Sequence, residues 1–245
     1  MSRLSEFSKI LDADTIITKV IPNLKHLVND QFAYVRSALA ENILSICPII
    51  ERAPTNEHIL PDFLTMLRDE NSEVRLNLFK RLEELNKVIG LENLEQSIIP
   101  SLTDLSQDKN WRIKLSVVEQ FPTLAKQLGE QFFNDKLNPI CVTWLSDSIF
   151  TIREAAIENI RQLTGIFGHA WAARHIIPKL LALHTDANYL HRLTPLFGIC
   201  ALSRSVTQDI MVRQFFPVLA TLQNDRVANI RMNVAKAIGK LATTP

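Results

Sequence analysis

The apolar residues of this chain recur in a fixed frame. Leu24, Phe63, Leu102, Cys141, Leu180 and Leu219 follow one another at intervals of 39 residues, and three positions after each stand Leu27, Met66, Leu105, Trp144, Leu183 and Leu222. Four positions before the first set stand Val20, Ile59, Ile98, Leu137, Ile176 and Phe215. Steps of four and three residues put these side chains on one face of an α-helix. A second apolar set follows in each frame, as in Val74, Leu78, Phe79 and Leu82 or Ile152, Ala156, Ile157 and Ile160, again with helical spacing. Each frame therefore predicts two amphipathic helices. One pair cannot bury its apolar face alone and must stack on its neighbours, so the expected architecture is all-α, an α-solenoid (superhelix) of tandem antiparallel helix pairs.

The polar positions keep the same register. Proline stands at Pro22, Pro61, Pro100, Pro139, Pro178 and Pro217, aspartate eight positions later at Asp30, Asp69, Asp108, Asp147, Asp186 and Asp225, and a base fourteen positions later at Arg36, Arg75, Lys114, Arg153, Arg192 and Arg231. The proline falls inside the first helix, where it removes a donor and crowds the preceding turn, so a kink is expected there. The aspartate falls between the helices, where its carboxylate can accept amide hydrogens of the second helix. Asp and Arg together read as a ladder of turn caps and ion pairs between stacked units, not as an acid and a base. Gly90, Gly129 and Gly168, each 29 positions after its proline, suit left-handed helix ends.

These marks divide the chain into repeats at about 13–51, 52–90, 91–129, 130–168, 169–207 and 208–245. They form one array over 1–245, with no domain boundary required. Residues 1–12 read as the tail of a preceding second helix, with Leu4, Phe7, Ile10 and Leu11 on its apolar side. At the other end Val234, Ile238 and Leu241 form an apolar face without a polar capping repeat, so the chain reads as a fragment or a shortened relative.

Composition adds mainly exclusions. With 27 basic and 26 acidic residues the formal charge is +1, which gives no general field for nucleic acid or anionic lipid. No apolar run reaches the roughly 18 residues of a bilayer span, and the N-terminus lacks a secretory signal. Cys47, Cys141 and Cys200 are odd in number and apolar in setting, which points to free thiols in cytoplasm or nucleus. His184, Asp186 and His191 cluster at one turn but lack the helical spacing of a metal site. Gly165 and Gly168 follow no strand and precede no Lys-Ser/Thr pair, so they read as helix-end residues and not a nucleotide loop. With no strained Ser elbow, no catalytic constellation is found and no cofactor is expected.

A binding role must then lie where the repeats differ. Eleven positions after each proline stand Ala33, Ser72, Trp111, Phe150, Tyr189 and Ala228, so three consecutive turns carry an aromatic ring. Arg112 adjoins Trp111, and aromatic and arginine side chains dominate binding hot spots. The competing expectation is that each ring folds back as a hydrophobic staple on its own helix pair. Trp144 and Trp171 occupy packing positions.

The segments DENSEVRLN, DKNWRIKLSVVEQFPTLAKQLGEQFF, WLSDSIFTIREAA, HIIPKLLAL, DANYLHRLTPLF and DRVANIRMNVAKAIGKL resemble, in order, the HEAT-repeat scaffolding A subunit of protein phosphatase 2A. The resemblance corresponds to the C-terminal portion of that fifteen-repeat scaffold, roughly its ninth to fourteenth repeats. It implies a non-catalytic scaffold that holds a Ser/Thr phosphatase catalytic subunit through its inter-helix turns, with Trp111, Arg112, Phe150 and Tyr189 as contacts. Regulatory B-type subunits would be held by repeats outside this chain. Phe150 stands where the family has tyrosine, and Pro195 stands inside a second helix, a departure expected to strain the fifth repeat. An importin-like transport receptor is the alternative from another class; it is disfavoured by the regularity of the repeats and by the lack of an acidic path on the second helices. A helical-repeat DNA glycosylase is disfavoured by the near-neutral charge.

Overall fold

The computed structural model describes residues 10–243, all of whose regular structure is helical. Leu4 and Phe7 lie outside the described residues. Ile10 is 80% exposed and sits in a turn, and Asp12 caps the first helix by accepting the Thr15 amide hydrogen at 2.7 Å. Residues 10–12 therefore lead into the first repeat, and the rest of the expected tail lies outside the described residues. The chain forms two compact units, one ending at Val117 and one beginning at Val118.

In the first unit the second helices of repeats one and two start at Ala33–Asn42 and Ser72–Phe79, and they stack on each other. Each also packs on the first helix of its own repeat, Ile21–Val28 or Leu60–Met66. Phe63, Met66, Leu67, Ile43, Leu44 and Ile46 fill the core between them. Ala33–Ile50 is long and apolar enough for a bilayer span, contrary to the reading of the apolar runs. It nevertheless carries Arg36, which is buried in a salt bridge to Asp69, and so behaves as the second helix of a repeat.

In the second unit the second helices Phe150–Phe167, Tyr189–Leu202 and Ala228–Ala242 stack in order. Trp144 is buried, its ring edge-on to Phe121 at 4.6 Å, and Trp171 is buried with its Nε1–H donating to Asn134 Oδ1 at 2.7 Å. Both tryptophans are packing residues, as expected. At the end of the chain Val234 is buried, contrary to expectation, while Ile238 remains 50% exposed.

The proline kink takes a defined form. In five repeats the residue before the proline donates its amide hydrogen to the carbonyl five positions back: Ile21 to Ile16, Leu60 to Thr55, Ile99 to Leu94, Asn138 to Phe133 and Phe216 to Met211. Proline has no N–H and its ring crowds the carbonyl four positions back, so the chain relieves both by widening one turn into a π-turn. In the fifth repeat the helix instead breaks at Ile176, between His169–His175 and Ile177–Ala182.

The corner between repeats has two solutions. Gly90, Gly129 and Gly168 adopt φ of 83°, 80° and 89° with ψ of 164°, 172° and 165°. This is the extended, mirror-image region open to glycine and not the left-handed helical cap expected from sequence. Asp12 and Thr207, at the same register position, keep φ at −77° and cap the next helix with their side chains. Glu51 takes the glycine solution without being glycine, with φ of 63° and ψ of −169°, and makes no side-chain capping bond.

Candidate partner-binding turns

Each inter-helix turn is built by its aspartate. The Oδ1 of Asp30, Asp69, Asp108, Asp147, Asp186 and Asp225 accepts the amide hydrogen two residues on, at 2.7–2.8 Å. The carboxylate thus closes the turn just ahead of the helix. In three of the turns the first-turn amides of the second helix are capped by a neighbour, Asn71, Asn110 or Asn188, at 2.9–3.0 Å, whereas Phe32, Ile149 and Val227 at the same position give no side-chain cap. In those three turns an aspartate and an asparagine two residues apart tie the backbone and set the following side chain at the helix N-terminus.

The arginine fourteen after the proline completes the turn. Arg36, Arg153, Arg192 and Arg231 each donate from Nη1 to the carbonyl of their own turn's aspartate at 2.7–2.9 Å, and Arg75 makes the same bond to Asp69. Arg36 also pairs with Asp69, Arg75 with Asp108 and Arg192 with Asp225, at 2.6, 3.4 and 2.7 Å. The predicted ladder is present. Arg192 holds the Asp225 carboxyl below the usual carboxylate range; for Asp69 burial acts to raise the value, but Arg36 and the Asn71 amide outweigh it.

One rung differs. Asp186 Oδ2 lies 3.2 Å from His191 Nδ1, and Arg153 has no carboxylate within ion-pair distance among the described residues. Arg153 places its guanidinium 5.6 Å from the Phe150 ring centroid, and burial lowers its pKa. The histidine at 191, where other repeats carry Val or Ile, has taken the acceptor that this arginine would use. His184 Nδ1 lies 2.7 Å from the Leu181 carbonyl, pointing back into its own helix.

On this framework stand the aromatic positions. In the first unit Trp111 is half-buried, with the exposed Arg112 guanidinium over its ring at 4.6 Å. In the second unit Phe150 is 53% and Tyr189 41% exposed. All three open a second helix directly after the aspartate turn, and neither Phe150 nor Tyr189 folds into the core as a staple would. Phe32 and Tyr34, which flank the equivalent position Ala33, are also exposed and stack at 5.4 Å. Sequence reasoning missed this pair because it followed a single register position; a search for aromatics anywhere in the turn would have found them. The described turns bring together rings, guanidinium groups and turn amides, a chemistry suited to protein contact.

Comparison with known proteins supports the architecture and narrows the kinship. The family model described as PIK3R4-like, middle domain, matches residues 17–127 and again 62–183, two overlapping matches of the kind a tandem array produces. The regulatory A subunit of protein phosphatase PP2A from Schizosaccharomyces pombe is 44% identical over 66 residues, 27% of this chain and 11% of that protein. Its counterpart in Saccharomyces cerevisiae is 40% identical over 79 residues, 31% of this chain and 12% of that protein. The matched stretches are thus a small part of these relatives' length. Among solved structures, importin beta aligns at a TM-score of 0.68 and 12% identity over 97% of this chain and 33% of its own. Cex1p aligns at 0.66 and 15% over 93% and 44%, and the MAST/Orbit N-terminal domain at 0.59 and 22% over 74% and 82%. At these identities the likeness is one of fold, a HEAT/armadillo-type solenoid. The chain belongs to the PIK3R4-like, middle domain family, and within its repeats it is similar to the regulatory A subunit of protein phosphatase PP2A.

Proposed function

We propose that the chain is a non-catalytic scaffold that holds the catalytic subunit of a Ser/Thr phosphatase through its inter-helix turns. The observation that carries this reading is Trp111, half-exposed under the Arg112 guanidinium at the start of a rigid turn-capped helix. Tryptophan and arginine are both enriched among the residues that carry most of the binding energy at interfaces. Phe150 and Tyr189 present rings from the equivalent positions of their own turns. The identity to the PP2A regulatory A subunits supports the phosphatase as partner. Because the reading needs no disulfide or membrane, the expected location is the cytoplasm and also the nucleus.

A pull-down of the Ser/Thr phosphatase catalytic subunit by the purified chain tests this. Trp111→Ala with Arg112→Ala should weaken capture by at least about tenfold, the loss typical of a hot-spot pair. Undiminished capture by the double variant would remove the site assignment, and no capture by the unaltered chain would remove the function. Capture of a small GTPase in place of the phosphatase would favour the transport-receptor alternative.

A further inference from the structure

Within the second unit, a groove of about 410 Å3 runs along the second helices Phe150–Phe167, Tyr189–Leu202 and Ala228–Ala242. That volume lies in the range of built ligand sites. Phe197 stands in it 37% exposed and meets Phe150 edge-on at 6.4 Å, so the two rings join into one apolar wall of the slot. Phe197 takes this place on a stretch where the helix runs through Pro195 and where Gly198 approaches Leu180 so closely that an added Cβ would lie 2.5 Å from a Leu180 methyl.

Two polar groups of the groove are not fully spent on the fold. Thr194 is 1% exposed, lines the groove and leaves its Oγ1 without a hydrogen-bond partner, an arrangement that costs stability unless something arrives to meet it. Arg153, which lines the same groove, is 5% exposed and lacks the carboxylate that Arg36 and Arg192 possess. Lys236 and Lys240, one helical turn apart, complete the opposite wall. Of the two acidic residues there, Glu158 is already held by Arg161 at 2.6 Å, which leaves Glu154 facing Arg153 and Lys236. The groove is therefore apolar in its slot and cationic at its margins.

We propose that this groove docks a short acidic–apolar segment of a partner protein, with a Leu- or Phe-sized side chain packed against the joined rings of Phe150 and Phe197 and flanking carboxylates toward Arg153 and Lys236. The Thr194 hydroxyl is placed to bond a peptide group of the same segment. Charge complementarity selects this occupant over a basic or purely apolar one. The groove shares Phe150 with the turn site, whereas Phe197, Thr194 and Lys236 lie within second helices and belong to the groove alone.

Fluorescence polarisation of the full chain with a fluorescein-labelled Asp-Glu-Leu-Phe-Asp-Glu peptide tests it, against one version with Lys at each acidic position and one with Ser there. The acidic peptide should bind saturably, and Phe197→Ala and Lys236→Glu should each raise its Kd by about tenfold. Trp111→Ala should leave it unchanged. Thr194→Val should raise the Kd without lowering the Tm of the free chain, an outcome a purely structural threonine would not give. Should Phe197→Ala fail to fold by circular dichroism, the exposed Lys236→Glu decides. No saturable binding up to about 1 mM, equal binding of the Lys version, or an unchanged Kd in Lys236→Glu overturns the proposal. Equal binding of the Ser version assigns the groove to an apolar ligand and overturns it likewise.

Discussion

Arg192 grips Asp225 at two points, Nε to Oδ2 at 2.7 Å and Nη2 to Oδ1 at 2.9 Å, while its Nη1 donates to the carbonyl of Asp186 at 2.9 Å. One guanidinium thereby closes its own turn and binds the next. Both side chains are over nine-tenths buried, so removing one leaves the other charge with little solvent. Arg192→Met is expected to cost about 3 kcal/mol, read as a lowered urea midpoint.

The pH dependence of this rung has a definite sign. Asp225 has its folded pKa depressed, chiefly by the hydrogen bond from Arg192, so its contribution is present above the unfolded aspartate value of about 3.9 and lost as pH falls through the folded value. Asp225→Asn should therefore lower the Tm clearly at pH 7, and the gap between variant and parent should close below about pH 4. A gap that stays constant across that range would contradict the assignment.

His191→Val should release Asp186 and allow Arg153 to form the rung seen at Arg36 and Arg192. A crystal structure of the variant is expected to show Arg153 and Asp186 within about 3 Å, the ordinary spacing of a charge-assisted bond. If Arg153 remains over Phe150, the histidine is not what displaces it.

Glu51 occupies a backbone region that suits glycine, and no capping bond offsets the cost. Glu51→Gly should raise stability by about 1 kcal/mol, whereas Gly90→Ala, in the same kind of corner with Arg52 3.1 Å from the added carbon, should lower it by a similar or greater amount. Thermal unfolding of the two variants gives the comparison.

Much of this structure could be read in advance because the repeats sample one solution six times. Apolar spacing predicts both helices, the Asp and Arg register predicts the ladder, and the positions of Trp144 and Trp171 predict the packing seen there. What escaped was local. Periodicity shows that a proline sits inside a helix but not that the preceding residue can bond five positions back, since the outcome turns on steric relief in three dimensions. Glycine predicts a positive φ, yet ψ of 164–172° depends on where the next helix must begin. Among the binding candidates, Trp111, Phe150 and Tyr189 stood out by register. Phe32 and Tyr34 lie one position either side of it, and Phe197 and Thr194 become notable only once three helices are assembled around a groove.

The missing rung between Asp186 and Arg153 also bears on how the second unit responds to force. Neighbouring repeats share load through their contacts, and where the turn edge is pinned by a buried ion pair, as from Arg192 to Asp225, helices must shear before they part. Between the fourth and fifth repeats that pin is absent among the described residues, so pulling on the two ends of this unit should open the array first at the seam beside Phe150.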